Sequence, residues 1–174
     1  MALLFLVGYA GSGKSSLGRR LARAVGCRFV DTDKLVEQQV GASIADIFYY
    51  EGEEYFRRSE REALESLALL SDDVVVATGG GMPTWSDNMA WMKAHGTTIY
   101  ISRSCEQIIS RLTDYGREKR PMFRGKSDEE LLLFMRQQLA EREGFYAQAA
   151  VRVECDTMSD DAAVDYIVNT LKLR

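Results

Sequence analysis

The chain has a single histidine, His95, and its three cysteines, Cys27, Cys105 and Cys155, show no C-x-x-C or other metal-type spacing. These shortages argue against a His-rich metal site and a Ser-His-Asp triad. An odd number of unspaced thiols reads as reduced cysteine in a cytoplasmic protein rather than as a disulfide framework. Positive charge is not in excess either: 22 Lys and Arg stand against 26 Asp and Glu, a net charge of −4. That leaves no overall basic field for nucleic acid. No apolar run approaches the roughly 20 residues of a membrane span, and Met1 leads straight into the first expected strand, with no room for a cleavable signal. Internal repeats and low-complexity segments are absent. The expectation is one domain over residues 1–174, large enough for a core and cytoplasmic, with no nucleic-acid or membrane partner.

What is present begins with Gly8-Tyr9-Ala10-Gly11-Ser12-Gly13-Lys14-Ser15, which matches G-x-x-x-x-G-K-[ST] at every fixed position. The apolar run 2–7 precedes it and a helical pattern follows, the strand-to-helix setting of a P-loop. Glycines let N–H groups turn inward around an anion. The helix start adds unpaired N–H groups and the positive end of its dipole. Gly11, Ser12, Gly13, Lys14, Ser15 and Ser16 are therefore candidate nucleotide contacts. Lys14 is expected at the β- and γ-phosphates, and the Ser15 hydroxyl on Mg²⁺.

Five short runs, 2–7, 28–30, 74–77, 97–101 and 151–154, read as strands. Helical patterns lie between them, from Lys14 to a stop at Gly26, over 35–40, from a Ser43 cap to Gly52, and over 53–70 and 86–94. Ser104 with Gln107 and Ser127 with Glu130 read as capping boxes, for helices ending near Leu112 and Ala147. Ser159 caps a last helix over 160–171. Residues 113–126 show no periodicity. The alternation predicts an α/β fold, a parallel sheet with helices on both faces and ligands at the carboxyl ends of its strands.

Several residues outside the P-loop carry chemistry. Asp31 and Asp33, two apart in an extended stretch, would point to one side. One carboxylate could hold Mg²⁺ through water and the other accept a proton from a substrate hydroxyl; the plainer alternative is that Asp33 caps the next helix. The strand 74–77 ends in Thr78-Gly79 instead of a Walker B aspartate, which makes Asp31 the available replacement. Gly79-Gly80-Gly81 is entropically costly at a strand end and suits a ligand close to the main chain, or else a flexible turn. Residues 111–126 hold six basic and two acidic side chains, a local charge of +4. A loop of this length beside a nucleotide site suggests a lid over residues 113–126 that brings an arginine to the phosphates. By composition alone, Arg57 and Arg142 look like solvated helix surface. No N-K-x-D guanine signature is present.

In sum of motifs the chain resembles the shikimate kinases over nearly its whole length. The resemblance rests on Gly8 to Ser15, Phe29-Val30-Asp31-Thr32-Asp33, Ser43-Ile44-Ala45-Asp46-Ile47-Phe48 and Gly52-Glu53 with Phe56-Arg57-Arg58-Ser59-Glu60. Thr78-Gly79-Gly80-Gly81, Arg120-Pro121 and Arg142 with Phe145-Tyr146 complete it. It implies transfer of the γ-phosphoryl of ATP to the 3-hydroxyl of shikimate, with Mg²⁺, on a three-layer αβα P-loop fold with strand order 2-3-1-4-5. Carried over by motif, Asp33 would hold the shikimate hydroxyls and act as base, within a substrate-binding region of about 33–61. Arg57 and Arg142 would grip the carboxylate, and Gly79, Gly80 and Gly81 would line the pocket. Arg120 would be the lid arginine and Arg111 would lie near the adenine, so that Lys14, Asp33 and Arg120 form the catalytic set and Ser15 and Asp31 the metal set. Shikimate and ATP are the implied partners of an expected monomer. The chain departs from some relatives at Asp156-Thr157-Met158-Ser159, where they carry a further nucleotide-contacting arginine.

Overall fold

A computed structural model of the protein describes residues 2–173, leaving Met1 and Arg174 outside it. Five strands, β1 (Leu3–Val7), β2 (Arg28–Asp31), β3 (Val74–Ala77), β4 (Thr97–Ser102) and β5 (Val151–Glu154), pair in parallel in the order β2-β3-β1-β4-β5. The central strand β1 is buried along its whole length. Its side chains alternate between two cores, as a two-residue period requires. Leu3, Phe5 and Val7 join one apolar cluster, while Leu4 and Leu6 join the other.

The helices supply the outer layers. On the Leu4 and Leu6 face, α1 (Lys14–Val25) packs through Leu17 and Leu21, and the C-terminal helix Asp160–Leu171 through Ala163, Val164 and Ile167. The other face is covered by Leu64 of the helix Gly52–Ser66, Met89 and Met92 of the helix Asn88–His95, and Ile108 of the helix Cys105–Arg111. Leu131 and Met135 of the long helix Asp128–Tyr146 complete that core. In chain order these helices are α4, α5, α6 and α8. The helices α2 (Thr32–Val40) and α3 (Ile44–Tyr50) close a small third cluster with α4, built on Val36, Ile47, Phe56 and Ala63. The short α7 (Asp114–Glu118) and the C-terminal α9 (Asp160–Leu171) bring the α-helices among the described residues to nine.

Several local expectations need correction. Helix α2 starts at Thr32 rather than Leu35, because the Asp31 carboxylate caps it by accepting from the backbone N–H of Asp33 and Lys34. The cap is therefore Asp31 and not Asp33, and the two carboxylates do not lie on one extended segment. The pattern over 53–70 divides into α4 and a 3₁₀ turn, Leu67–Leu69. Helix α5 begins at Asn88, since Ser86 takes a left-handed φ of 50° that no helix interior allows. Residues 113–126 are not wholly irregular: Thr113 caps α7, and a 3₁₀ turn follows at Pro121–Phe123. Ser127 and Glu130 make both bonds of a capping box, whereas the Ser104 hydroxyl accepts from Gln107 N–H alone.

The strand order brings the carboxyl ends of β1, β2 and β3 side by side, so Gly8, Asp31 and Thr78 open onto one edge of the sheet. The two edge strands, β2 and β5, are four residues each. In β5, Arg152 pairs with Glu154 and lies over the ring of Tyr100 at 5.1 Å from its centroid.

Candidate active site

The loop between β1 and α1 turns on Gly11 and Gly13, at φ of 80° and 96°, values an L-residue with a side chain rarely adopts. Lys14 follows, almost fully buried, with its ammonium donating to the loop carbonyls of Gly8 at 2.8 Å and Tyr9 at 2.7 Å. Burial pushes Lys14 down to about 8, with the charge of Asp33 the strongest influence opposing that shift. Ser12 is buried beneath the loop, and its hydroxyl has no hydrogen-bond partner among the described residues. The Ser12 carbonyl accepts from Arg103 Nε at 3.1 Å.

Ser15 donates its hydroxyl to Asp31 Oδ2 at 2.6 Å. A serine hydroxyl and a carboxylate in contact beside a phosphate loop are hard oxygen donors of the kind Mg²⁺ takes. Asp33 lies two residues further on, in the first turn of α2. Burial and the neighbouring Asp31 raise it to about 6, with Lys14 opposing them. Arg120 is held by a hydrogen bond from Nη1 to the Gly116 carbonyl at 2.7 Å, with Phe123 under its guanidinium. Together the loop, Asp31, Asp33, Gly79, Gly80 and Arg120 bound a cavity of about 280 Å³, with Lys14, Ser15 and Ser16 in its wall.

The glycine turn after β3 is crowded by side chains of the protein itself. A β-carbon on Gly79 would stand 2.7 Å from Asp33 Oδ1 and 2.8 Å from Glu60 Oε1. One on Gly81 would stand 2.6 Å from both terminal nitrogens of Arg57, and one on Gly80 3.0 Å from the Ala10 backbone nitrogen. The glycines thus let α2, α4 and the P-loop close on one turn. Arg57 reaches it from α4, paired with Glu60 at 2.6 Å and with Glu53 at 3.3 Å. Glu60 is 1% exposed in its side chain, and burial raises it to about 7 against the pull of Arg57.

Arg142 approaches from α8, half-buried, and its charge is felt at Lys14, Glu60 and Tyr146. Arg111 stands apart from the cavity, at the end of α6, 3.5 Å from Asp160. Sequence reasoning missed Glu60, Arg103 and Tyr146 as parts of this site. Glu60 had a signal: it falls on the buried stripe of α4 with Phe56, Ala63 and Leu64, where a carboxylate has no reason to be unless it is partnered. No helix among the described residues is long and apolar enough to cross a membrane.

The arrangement joins an anion-binding loop with a buried lysine, a pair of oxygen donors, a carboxylate of raised pKa and three arginines from separate elements. It is suited to moving a phosphoryl group onto a small anionic alcohol. Comparison with known proteins gives a consistent answer. The shikimate kinase family model matches residues 10–172. The shikimate kinase of Parabacteroides distasonis is 39% identical over 171 residues, 98% of each chain. The crystal structure of shikimate kinase from Bacteroides thetaiotaomicron superposes with a TM-score of 0.90 at 32% identity, covering 99% of both chains. Shikimate kinase from Acinetobacter baumannii in complex with shikimate gives a TM-score of 0.87 at 30% identity, covering 99% of this chain and 94% of that one.

Proposed function

The chain belongs to the shikimate kinase family, and from that premise we propose how its residues divide the reaction. The activity is transfer of the γ-phosphoryl of ATP to the 3-hydroxyl of shikimate, a step of aromatic amino acid biosynthesis. Gly11, Ser12, Gly13, Lys14, Ser15 and Ser16 take the nucleotide phosphates. Ser15 and Asp31 would hold Mg²⁺; the 2.6 Å contact between their oxygens supports the fit. When bound, the ion supplies positive charge to the phosphate oxygens.

Asp33 grips the shikimate hydroxyls and accepts the proton of the 3-hydroxyl as its oxygen bonds to the γ-phosphorus and the bond to ADP breaks. Lys14 and Arg120 meet the charge on the transferring group. Arg57 and Arg142 receive the carboxylate, and Gly79, Gly80 and Gly81 form the floor of the shikimate pocket. Arg57 can spare an edge for this role, because its second partner, Glu53, is 69% exposed and so a weak one. Residues 113–126 act as the lid, and 33–61 as the shikimate-binding region. Arg111 lies toward the adenine. We extend the same reading to a monomer in the cytoplasm; three cysteines, none in a disulfide, fit a reducing compartment.

The observation that carries this assignment is the meeting of Lys14, Asp33 and Arg120 around one cavity. Shikimate-dependent ADP release, measured with and without Mg²⁺, tests it. ADP release that requires both is expected; release indifferent to the metal would remove Ser15 and Asp31 from their roles.

A further inference from the structure

Helix α8 sets Gln138, Arg142 and Tyr146 four residues apart on one stripe, continuing the buried Leu131 and Met135. Tyr146 is fully buried, and its phenol donates to the Gly80 carbonyl at 2.6 Å. Arg142 stands one turn before Tyr146 on the same stripe, near enough for its charge to act on the phenol. Two turns earlier, Gln138 Oε1 accepts from the Tyr9 hydroxyl at 2.6 Å, and Tyr9 belongs to the P-loop. The helix is thus fastened on either side of Arg142, to the phosphate loop at one point and to the glycine turn at the other.

We propose that Tyr146 is a positioning residue, which pins the turn of α8 that carries Arg142 to the Gly80 turn and so sets where the guanidinium stands when the shikimate carboxylate arrives. This rests on the role of Arg142 proposed above. Fixing in advance the backbone that carries an arginine removes ordering cost from substrate binding. Burial pushes Tyr146 up to about 12, so the phenol stays neutral at working pH and keeps its proton for Gly80.

Steady-state kinetics of Tyr146→Phe, Arg142→Ala and the double variant test this. Tyr146→Phe is expected to raise the KM for shikimate by about fivefold, the scale of one neutral hydrogen bond, while the KM for ATP stays within about twofold. In the Arg142→Ala background the same change should add less than about twofold, because its effect passes through the arginine. A shikimate KM unmoved by Tyr146→Phe, equal losses for both substrates, or a full fivefold added to Arg142→Ala would each overturn the proposal. Arg142→Ala alone tells the two readings apart. If it leaves the shikimate KM unchanged, the role of Arg142 itself fails and Tyr146 falls with it; if it raises that KM and Tyr146→Phe does not, only the positioning role is lost. Tyr146→Leu, which also removes the phenol, is the second variant should the phenylalanine protein not fold.

Discussion

Gly79 carries Asp33 directly against its α-carbon, leaving no space for a side chain: a β-carbon there would stand 2.7 Å from Asp33 Oδ1. The backbone at Gly79 is not in the left-handed region, so alanine is excluded by its neighbours and not by its own conformation. Gly79→Ala should fold and bind ATP, but lose about 100-fold in kcat/KM for shikimate, the usual scale for displacing a reacting group by an ångström. Kinetics near those of the parent would mean that Asp33 can retreat without loss.

Lys14→Ala should reduce turnover by about 10²–10³-fold, as removal of a transition-state donor does elsewhere. The fold should survive, because Lys14 lines the cavity and water entering in place of its side chain can serve the two buried carbonyls that it occupied. Circular dichroism checks the fold and ADP release checks the rate. Turnover within about tenfold of the parent would contradict the P-loop role.

The pH dependence follows from Asp33 and Lys14. With both substrates far below saturation, activity should climb as pH rises through about 6, where Asp33 becomes a base, and decline above about 8, where Lys14 loses its proton. Stability has its own signs. Between about pH 4 and 6 the folded protein keeps a proton on Asp33 that the unfolded chain has lost, so stability falls as pH rises through that window. Asp33→Asn should therefore be more stable than the parent at pH 7, on the order of 2 kcal/mol, while losing most phosphoryl transfer and keeping ATP binding. Denaturant titrations at pH 4 and 7 give the comparison, and a variant less stable at pH 7 would reverse the assignment.

Arg120→Ala should lower kcat by about 10³-fold or more, the scale of an arginine that meets the transferring phosphoryl group, with a smaller effect on ATP affinity in the absence of shikimate. Limited proteolysis over 117–124 should slow when nucleotide and shikimate are both present. Cleavage that ignores both ligands would rule out a lid.

Arg57 has two duties that different variants separate. Its loss as a carboxylate ligand should cost about 10- to 100-fold in kcat/KM for shikimate. It also leaves Glu60, with 1% of its side chain exposed, without its partner at 2.6 Å, a defect of about 3–5 kcal/mol in buried pairs. Arg57→Ala should show both losses. Combining it with Glu60→Gln should restore stability by thermal melting and leave kcat/KM low. Recovery of both together would show that Arg57 serves the fold alone.

The sequence was most informative where a few adjacent residues must act together. Gly8 to Ser15 is such a stretch, and so is the strand end at Asp31, whose contact with Ser15 needs only β1 and β2 to lie near each other. The strand order and family came from combined motifs, and agree with the sheet found. Arg57 and Arg142 were invisible to composition because flanking charges made them look solvated. Helical phase explains the error: Arg142 lies between Met135 and Tyr146 on the buried stripe of α8, whereas Glu141 is exposed. Tyr146 could not be read as part of the site, since its Gly80 partner is 66 residues away and no local pattern connects them. The start of α2 was misjudged because one carboxylate, Asp31, both caps that helix and meets Ser15.

The sheet's borders bear on how copies of this protein meet one another. An unpaired strand edge is an invitation to another chain, and a long flat one leads to stacking and precipitation. Here both borders are only four residues long. At β5, Arg152 and Glu154 hold a pair of opposite charges on exposed positions, so an arriving strand would have to strip water from both. At β2 the exposed Arg28 begins the strand and Asp31 ends it as a helix cap, so extension would cost the chain its own turn. Both borders are thereby poor templates for edge-to-edge pairing, through residues that have no part in the proposed chemistry at one border and belong to it at the other.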